Sequence, residues 1–393
     1  MLRSQFDHLI SSILDRYPQA SDILFTVGKP VQTEVHGELL DALPEAEDYG
    51  PLLPWQLECI ACCLLGRNMR LYSHLFQDGA CDLSYAVQHQ ARFRVNIFQQ
   101  KGSLAVVMRK LSMQVPSLQE LQLPEIFLSM AREQYGLILV TGATGTGKST
   151  SLAALLDEIN SRGRKHIVTL EDPIEFMHRH RQGTINQREL GIDFSSFSSG
   201  LRAALRQAPK VILVGEIRDR ETMAIVLEAA ETGHLVLGTL HTSDAAQTIN
   251  RAIGMFDLSE ERLIRGRLAE SLKYVVSQRL MPGLKQGRIA AFEILVNNIR
   301  VRELILKGED EEKNFYNVLA SSATYGMITF DDYLARLFEQ GQISQEVAML
   351  HASDKARLGQ MIDRIRAARG EKVSDIDELQ LDLEYEDRVG GKR

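Results

Sequence analysis

Cysteine is scarce in this chain, with only Cys59, Cys62, Cys63 and Cys81 among 393 residues. They form one C-x-x-C pair and no second, so a four-ligand zinc site lacks its usual ligand pairs. Three of them fall in Leu57-Glu58-Cys59-Ile60-Ala61-Cys62-Cys63-Leu64-Leu65, which reads as a mostly apolar helix with buried, reduced thiols. Long apolar runs are also missing. No window approaches the roughly 18 residues of a membrane span, and the N-terminal residues carry charges on both sides of their apolar positions. A cytoplasmic protein is expected. Positive charge is not in excess either: the formal net charge is -7. Basic and aromatic residues do not interleave, so nucleic acid is not among the expected partners.

What remains is an average soluble composition, 44% hydrophobic and 25% charged, on a chain long enough for two or three units. Residues 1–112 mix a helical start (6–17) with strand-like runs at 22–27 and 91–98, as in a small α+β domain. The proline at 116 follows polar residues where strand periodicity stops, which places a linker at 113–120. Beyond it the pattern is α/β. Continuous apolar runs at 137–140, 166–170, 211–214 and 235–240 alternate with helical stretches, as in a parallel sheet covered on both faces. Helices are expected after residue 255, notably 260–278, 299–307 and 330–339. The division is therefore 1–112, 113–120, 121–352 and 353–393. The last stretch reads as a helical to disordered acidic tail, with eight carboxylates from Glu371 onward.

In doubly wound sheets, ligands bind beyond the carboxyl ends of the strands, and each run is followed there by useful chemistry. After the first comes Gly142-Ala143-Thr144-Gly145-Thr146-Gly147-Lys148-Ser149, with Thr150 opening a helix, the strand-loop-helix setting of a phosphate loop. Its glycines let backbone N–H groups turn onto phosphate oxygens, Lys148 reaches the β and γ phosphates, and Ser149 offers a hydroxyl to Mg²⁺. ATP and Mg²⁺ are the expected ligands. The run 211–214 ends in Gly215-Glu216, a carboxylate placed to hold the metal and water, although a helix cap would look similar. Glu171, nearest the strand end in Glu171-Asp172-Pro173-Ile174-Glu175, is the candidate to orient or deprotonate the attacking water, with Asp172 as a turn residue. His234 and His241 bracket the fourth run; His241 leaves it on the edge of the phosphate loop, and His234 is the weaker nucleotide-binding candidate.

In order and spacing, the loop 142–149, Glu171-Asp172-Pro173-Ile174-Glu175-Phe176, Gly215-Glu216-Ile217-Arg218-Asp219, and Thr232-Gly233-His234 through His241-Thr242 resemble the secretion ATPase superfamily. Within it, Ser21-Asp22-Ile23-Leu24-Phe25 and the helix 299–308 resemble the type IV pilus retraction ATPases. That resemblance implies an N-terminal PAS-like α+β domain and a C-terminal RecA-like P-loop domain with a helical C-terminal region. It further implies a homo-hexameric motor that hydrolyses ATP at the inner membrane, powering twitching motility on a platform protein of the pilus, with a paralogous retraction ATPase as a further partner. N-terminal arginines reach the phosphates in such motors. Arg92, Arg94 and Arg109 occupy the matching strands, and Arg206, before the third run, is a further nucleotide-binding candidate.

Residues 279–289 carry no cysteine module of the kind typical of pilus assembly and type II secretion ATPases, which favours retraction. An assembly or secretion ATPase is the first alternative. A regulatory nucleotide-binding scaffold with little hydrolysis is the second. Ala208-Pro209-Lys210, Glu303 and Leu306 depart from the retraction pattern.

Overall fold

A computed structural model describes residues 2–43, 50–87, 90–111, 114–285, 287–310 and 313–371. The acidic stretch expected to be disordered lies, from residue 372 onward, outside them. Two sheets organise the chain. The first is antiparallel and contains β1 (Asp22–Thr26), β2 (Gln32–Val35), β3 (Glu38–Asp41), β4 (Ala80–Val87), β5 (Ala91–Gln100) and β6 (Ser103–Leu111), in the order β3-β2-β1-β6-β5-β4. Strict alternation in β5 buries Ala91, Phe93, Val95 and Ile97 with Phe6, Ile10 and Phe25. The same period sends Arg92 and Arg94 to the opposite face. Arg109 of β6 pairs in register with Arg94, so the three arginines share that face. The cysteine helix forms as Pro54–Leu65, yet Cys62 is exposed and only Cys81 of the four is buried, because Leu57, Ile60, Ala61 and Leu64 occupy the inward stripe.

The second sheet contains β7 (Gly136–Thr141), β8 (His166–Glu171), β9 (Thr184–Glu189), β10 (Val211–Val214), β11 (Leu235–Leu240), β12 (Leu272–Pro282) and β13 (Arg288–Val296). Its order is β13-β12-β7-β11-β10-β8-β9, parallel except for β13 against β12. Every residue of β7, β10 and β11 is buried, as strands covered by helices on both faces must be. The helix expected over 260–278 is shorter, Glu261–Ser271. The residues after it, Leu-Lys-Tyr-Val-Val-Ser-Gln, enter β12 instead. Their β-branched and aromatic side chains fit a strand packed beside β7 better than a helix. Helices Phe330–Glu339, Gln345–Leu350 and Lys355–Ala368 close a separate small core around Phe330, Leu334, Leu358 and Ile362. Among the described residues no helix is long and apolar enough to cross a membrane.

Candidate active site

Parallel register brings the strand ends together. Leu240 lies beside Thr141, and Val214 beside both Gly238 and Leu170, so the loop after β7, Glu171, Glu216 and His241 emerge on one edge. There they line a cleft of about 1000 Å³. Its floor is the loop 142–149, which Gly147 links to the helix Lys148–Arg162. Gly142 has φ +143°, and a Cβ on it would stand 2.4 Å from the Gln278 carbonyl oxygen, so glycine alone fits. The buried Lys148 ammonium donates to the carbonyls of Gly142 (2.8 Å) and Ala143 (2.9 Å), and the Thr146 hydroxyl donates to Ala143 at 2.9 Å. Burial holds Lys148 below the usual lysine range, against the pull of the Glu216 and Glu175 carboxylates. Thr144, Gly145, Ser149 and Thr150 face the same cleft.

Glu216 sits between two cationic or polar partners: Arg218 donates to it at 2.6 Å, and His241 Nε2 lies 3.3 Å from its other oxygen. The Arg218 hydrogen bond, outweighing burial, keeps its carboxyl below the usual range. Gly215 makes this placement possible. Its N–H donates to the Leu170 carbonyl at 2.7 Å, and a Cβ there would lie 2.9 Å from the same oxygen and 3.3 Å from Glu171 Cα. The two acidic strand ends can therefore close to van der Waals contact.

Glu171 is held differently. Thr169 (2.6 Å) and Gln187 (3.0 Å) donate to its Oε1, while burial raises the carboxyl above the usual range against those bonds and the nearby Arg92 charge. A carboxyl kept basic beside a phosphate loop suits proton acceptance. Ser149 and Glu216 offer one hydroxyl and one carboxylate. That sparse oxygen set suits Mg²⁺, which keeps several waters and substrate oxygens as ligands.

The three N-terminal arginines diverge. Arg94, half exposed and 3.7 Å from Asp82, lines the cleft. Arg92 is largely enclosed against Glu189 of β9, and Arg109 donates to Asp22 of β1 at 2.9 Å. Besides Arg92 and Arg109, which do not line the cleft, two further candidates are not brought to it. His234 precedes β11 at the far edge of the sheet, where its Nδ1 lies 3.0 Å from the Ala229 carbonyl. Arg206 is exposed at the end of the helix Phe197–Leu205, before β10 begins. The reason is topological, since parallel strands send their amino and carboxyl ends to opposite edges.

Gln278, Gln187 and Glu189 were not legible as site residues. Gln278 accepts from the Ser151 hydroxyl at 3.0 Å and packs against Gly142 and Gly147. Gln187 ties Glu171 to the Phe176 carbonyl (2.8 Å). No motif contains these residues; their only signal is placement beside the loop after folding.

Residues 69–288 match the family described as Type II/IV secretion system protein. The type IV pilus retraction ATPase PilT of Pseudomonas aeruginosa is 40% identical over 339 residues, covering 86% of this chain and 95% of that protein. The type IV pilus ATPase PilU of the same organism is 35% identical over 388 residues, 98% of this chain and 99% of that protein. A crystal structure of the pilus retraction motor PilT with bound ADP superimposes with a TM-score of 0.79 at 37% identity, over 90% of this chain and 98% of that one.

Proposed function

This chain belongs to the type II/IV secretion system protein family, and we propose that it is an ATP-hydrolysing motor of type IV pilus retraction that works as a homo-hexamer. The observation that carries the reading is the convergence of Lys148, Glu171, Glu216 and His241 on one cleft, in a chain alignable over nearly its whole length with pilus ATPases.

In this reading the loop amides and the helix N-terminus cradle the phosphates, and Lys148 exchanges its two loop carbonyls for phosphate oxygens. Leu121, Leu123, Ile289 and Tyr333 give the cleft an apolar wall for the base. Ser149 and Glu216 would hold Mg²⁺, which supplies charge neutralisation at the phosphates. Glu171 orients the water and takes its proton. His241, beside Glu216, senses the terminal phosphate. Arg94 is the N-terminal arginine best placed to meet phosphate charge. We assign the motor to 121–352 and the arginine-bearing domain to 1–112. The partner is proposed to be the inner-membrane platform protein of the pilus, with a paralogous retraction ATPase as a second partner. Main and auxiliary motor roles both fit, since the PilU match spans 98% of this chain.

The test is steady-state ATPase activity of the full chain with its mass in solution, joined to deletion of its gene. Hexamer-dependent hydrolysis, abolished by Glu216→Gln, with excess surface pili on the deletion strain is expected. A strain without pili would move the protein to assembly. Nucleotide binding without turnover would make it a scaffold.

A further inference from the structure

Glu189 is the last residue of β9, the edge strand of the ATPase sheet, and its carboxylate is used completely. Its Oε1 accepts from the Ser84 hydroxyl at 2.7 Å, and its Oε2 accepts from Arg92 at 2.5 Å and from the Ile174 N–H at 3.2 Å. Ser84 and Arg92 belong to β4 and β5 of the N-terminal sheet, whereas Ile174 lies in the acidic segment after β8. The pair is enclosed, with 11% of the Arg92 side chain and 5% of the Glu189 side chain exposed. A buried carboxylate that loses its cation must move or take up solvent, so its placement depends on that cation.

Its neighbours connect it to the chemistry. Glu189 pairs in register with Glu171, and the Leu190 N–H donates to the Glu171 carbonyl at 2.8 Å. Two residues earlier on the same face, Gln187 holds the Glu171 carboxylate and the Phe176 carbonyl. The segment 172–176 is thus tied at Ile174 by Glu189 and at Phe176 by Gln187. The first tie depends on residues of the other sheet.

We infer that Glu189 is a positioning residue that makes the placement of Glu171 and the acidic segment depend on the docking of Arg92 and Ser84. Arg92 then acts on the reaction through Glu189 in addition to its charge near Glu171, whereas Arg94 faces the cleft directly. Movement of the N-terminal sheet, by withdrawing Arg92, loosens the segment without removing any group that touches nucleotide. The inference rests on the reading of Glu171 as the group that activates water.

The test uses the full chain with Arg92→Gln, Glu189→Gln, and both together. Each single variant is expected to lower kcat about tenfold with KM within twofold, the scale of one charge-assisted contact. The double variant should be no worse than either single one. Amide exchange at Ile174 should quicken at least tenfold in Arg92→Gln, although that substitution lies in the other sheet. Multiplicative losses, or unchanged exchange at Ile174, would overturn the inference. A rise in ATP Kd for Arg92→Gln, with Glu189→Gln like the parent, would instead make Arg92 a phosphate ligand. If Glu171→Gln keeps full activity while Ile174 exchange still responds to Arg92→Gln, the reading of Glu171 fails and the tie stands.

Discussion

Glu216 and His241 face each other across 3.3 Å at the ends of two adjacent parallel strands, with Arg218 on the carboxylate's other oxygen. Each partner stabilises the ionised carboxylate. Because its range is depressed, Glu216 stays charged well into the acid side, and any benefit of that charge is lost only as pH falls through the lowered value.

Replacing Glu216 by Gln removes the charge while keeping the shape. Loss of one preorganised electrostatic group in a cleft costs about 10² to 10³ in kcat, so turnover should fall by at least ~100-fold while ADP still binds. His241→Ala, which removes one hydrogen bond to a charged group, should cost less, about ten- to a hundredfold. Single-turnover ATP hydrolysis and ADP titration separate the two effects. A Glu216→Gln variant with parental turnover would remove that residue from the mechanism.

Glu171 should own the acid limb of the pH profile. Its carboxyl is raised by burial, and a proton acceptor works only when ionised, so kcat should rise with pH through that raised value. Glu171→Gln should lower kcat by roughly 10² to 10⁴ and leave the residual rate without the acid limb. Profiles of kcat against pH for parent and variant are the measurement. An unchanged limb in the variant would assign it to another group.

Much of this cleft was legible before folding because its sequence signals are local. Continuous apolar runs announced β7, β8, β10 and β11, and the residue following each run became an edge residue by topology alone. The rest depends on tertiary contacts. β9, Thr-Ile-Asn-Gln-Arg-Glu, is polar because it is an edge strand, and so it carries no buried-strand signature. β12 follows a helix without a glycine or proline break, which hid the change of period at Leu272. Arg92, Arg94 and Arg109 share one face and one chemistry. Only their partners Glu189, Asp82 and Asp22 distinguish them.

Gly215 tests how close the two acidic strands must be. Its Cβ would meet the backbone of Leu170 and Glu171, which cannot rotate away as a side-chain tip would. Gly215→Ala should therefore part the ends of β8 and β10, costing about 1–3 kcal/mol of stability as an overpacked site and lowering kcat more than nucleotide affinity. Gly266 is the contrast. It lies inside the helix Glu261–Ser271 with open space around its Cβ position, so Gly266→Ala should stabilise the chain by about 0.4–1 kcal/mol. Thermal unfolding and ATPase rates on the two variants give opposite signs if the close approach matters.

Glu293 should make the protein less stable as pH rises from the ordinary carboxyl range to about 7. It is buried on β13, accepts the Ala245 N–H at 2.9 Å, and is pushed up to about 7, chiefly by burial. Asp244 and Asp331 add to the rise, and Arg279 opposes it. From the ordinary carboxyl value to about 7, the folded chain holds a proton that the unfolded chain has released. The folded state thus binds more protons, and raising pH through this window favours unfolding. The penalty is absent below the ordinary value and complete above about 7, where it reaches about 3 kcal/mol. Glu293→Gln keeps an acceptor for Ala245 but cannot ionise. Denaturant midpoints between pH 5 and 8 should show the variant gaining on the parent as pH rises. Parallel curves would mean that the charge of Arg279 keeps Glu293 ionised throughout. In that case its removal should destabilise the chain equally at every pH, because the guanidinium, stacked 3.8 Å over Phe330, would lose its counter-charge.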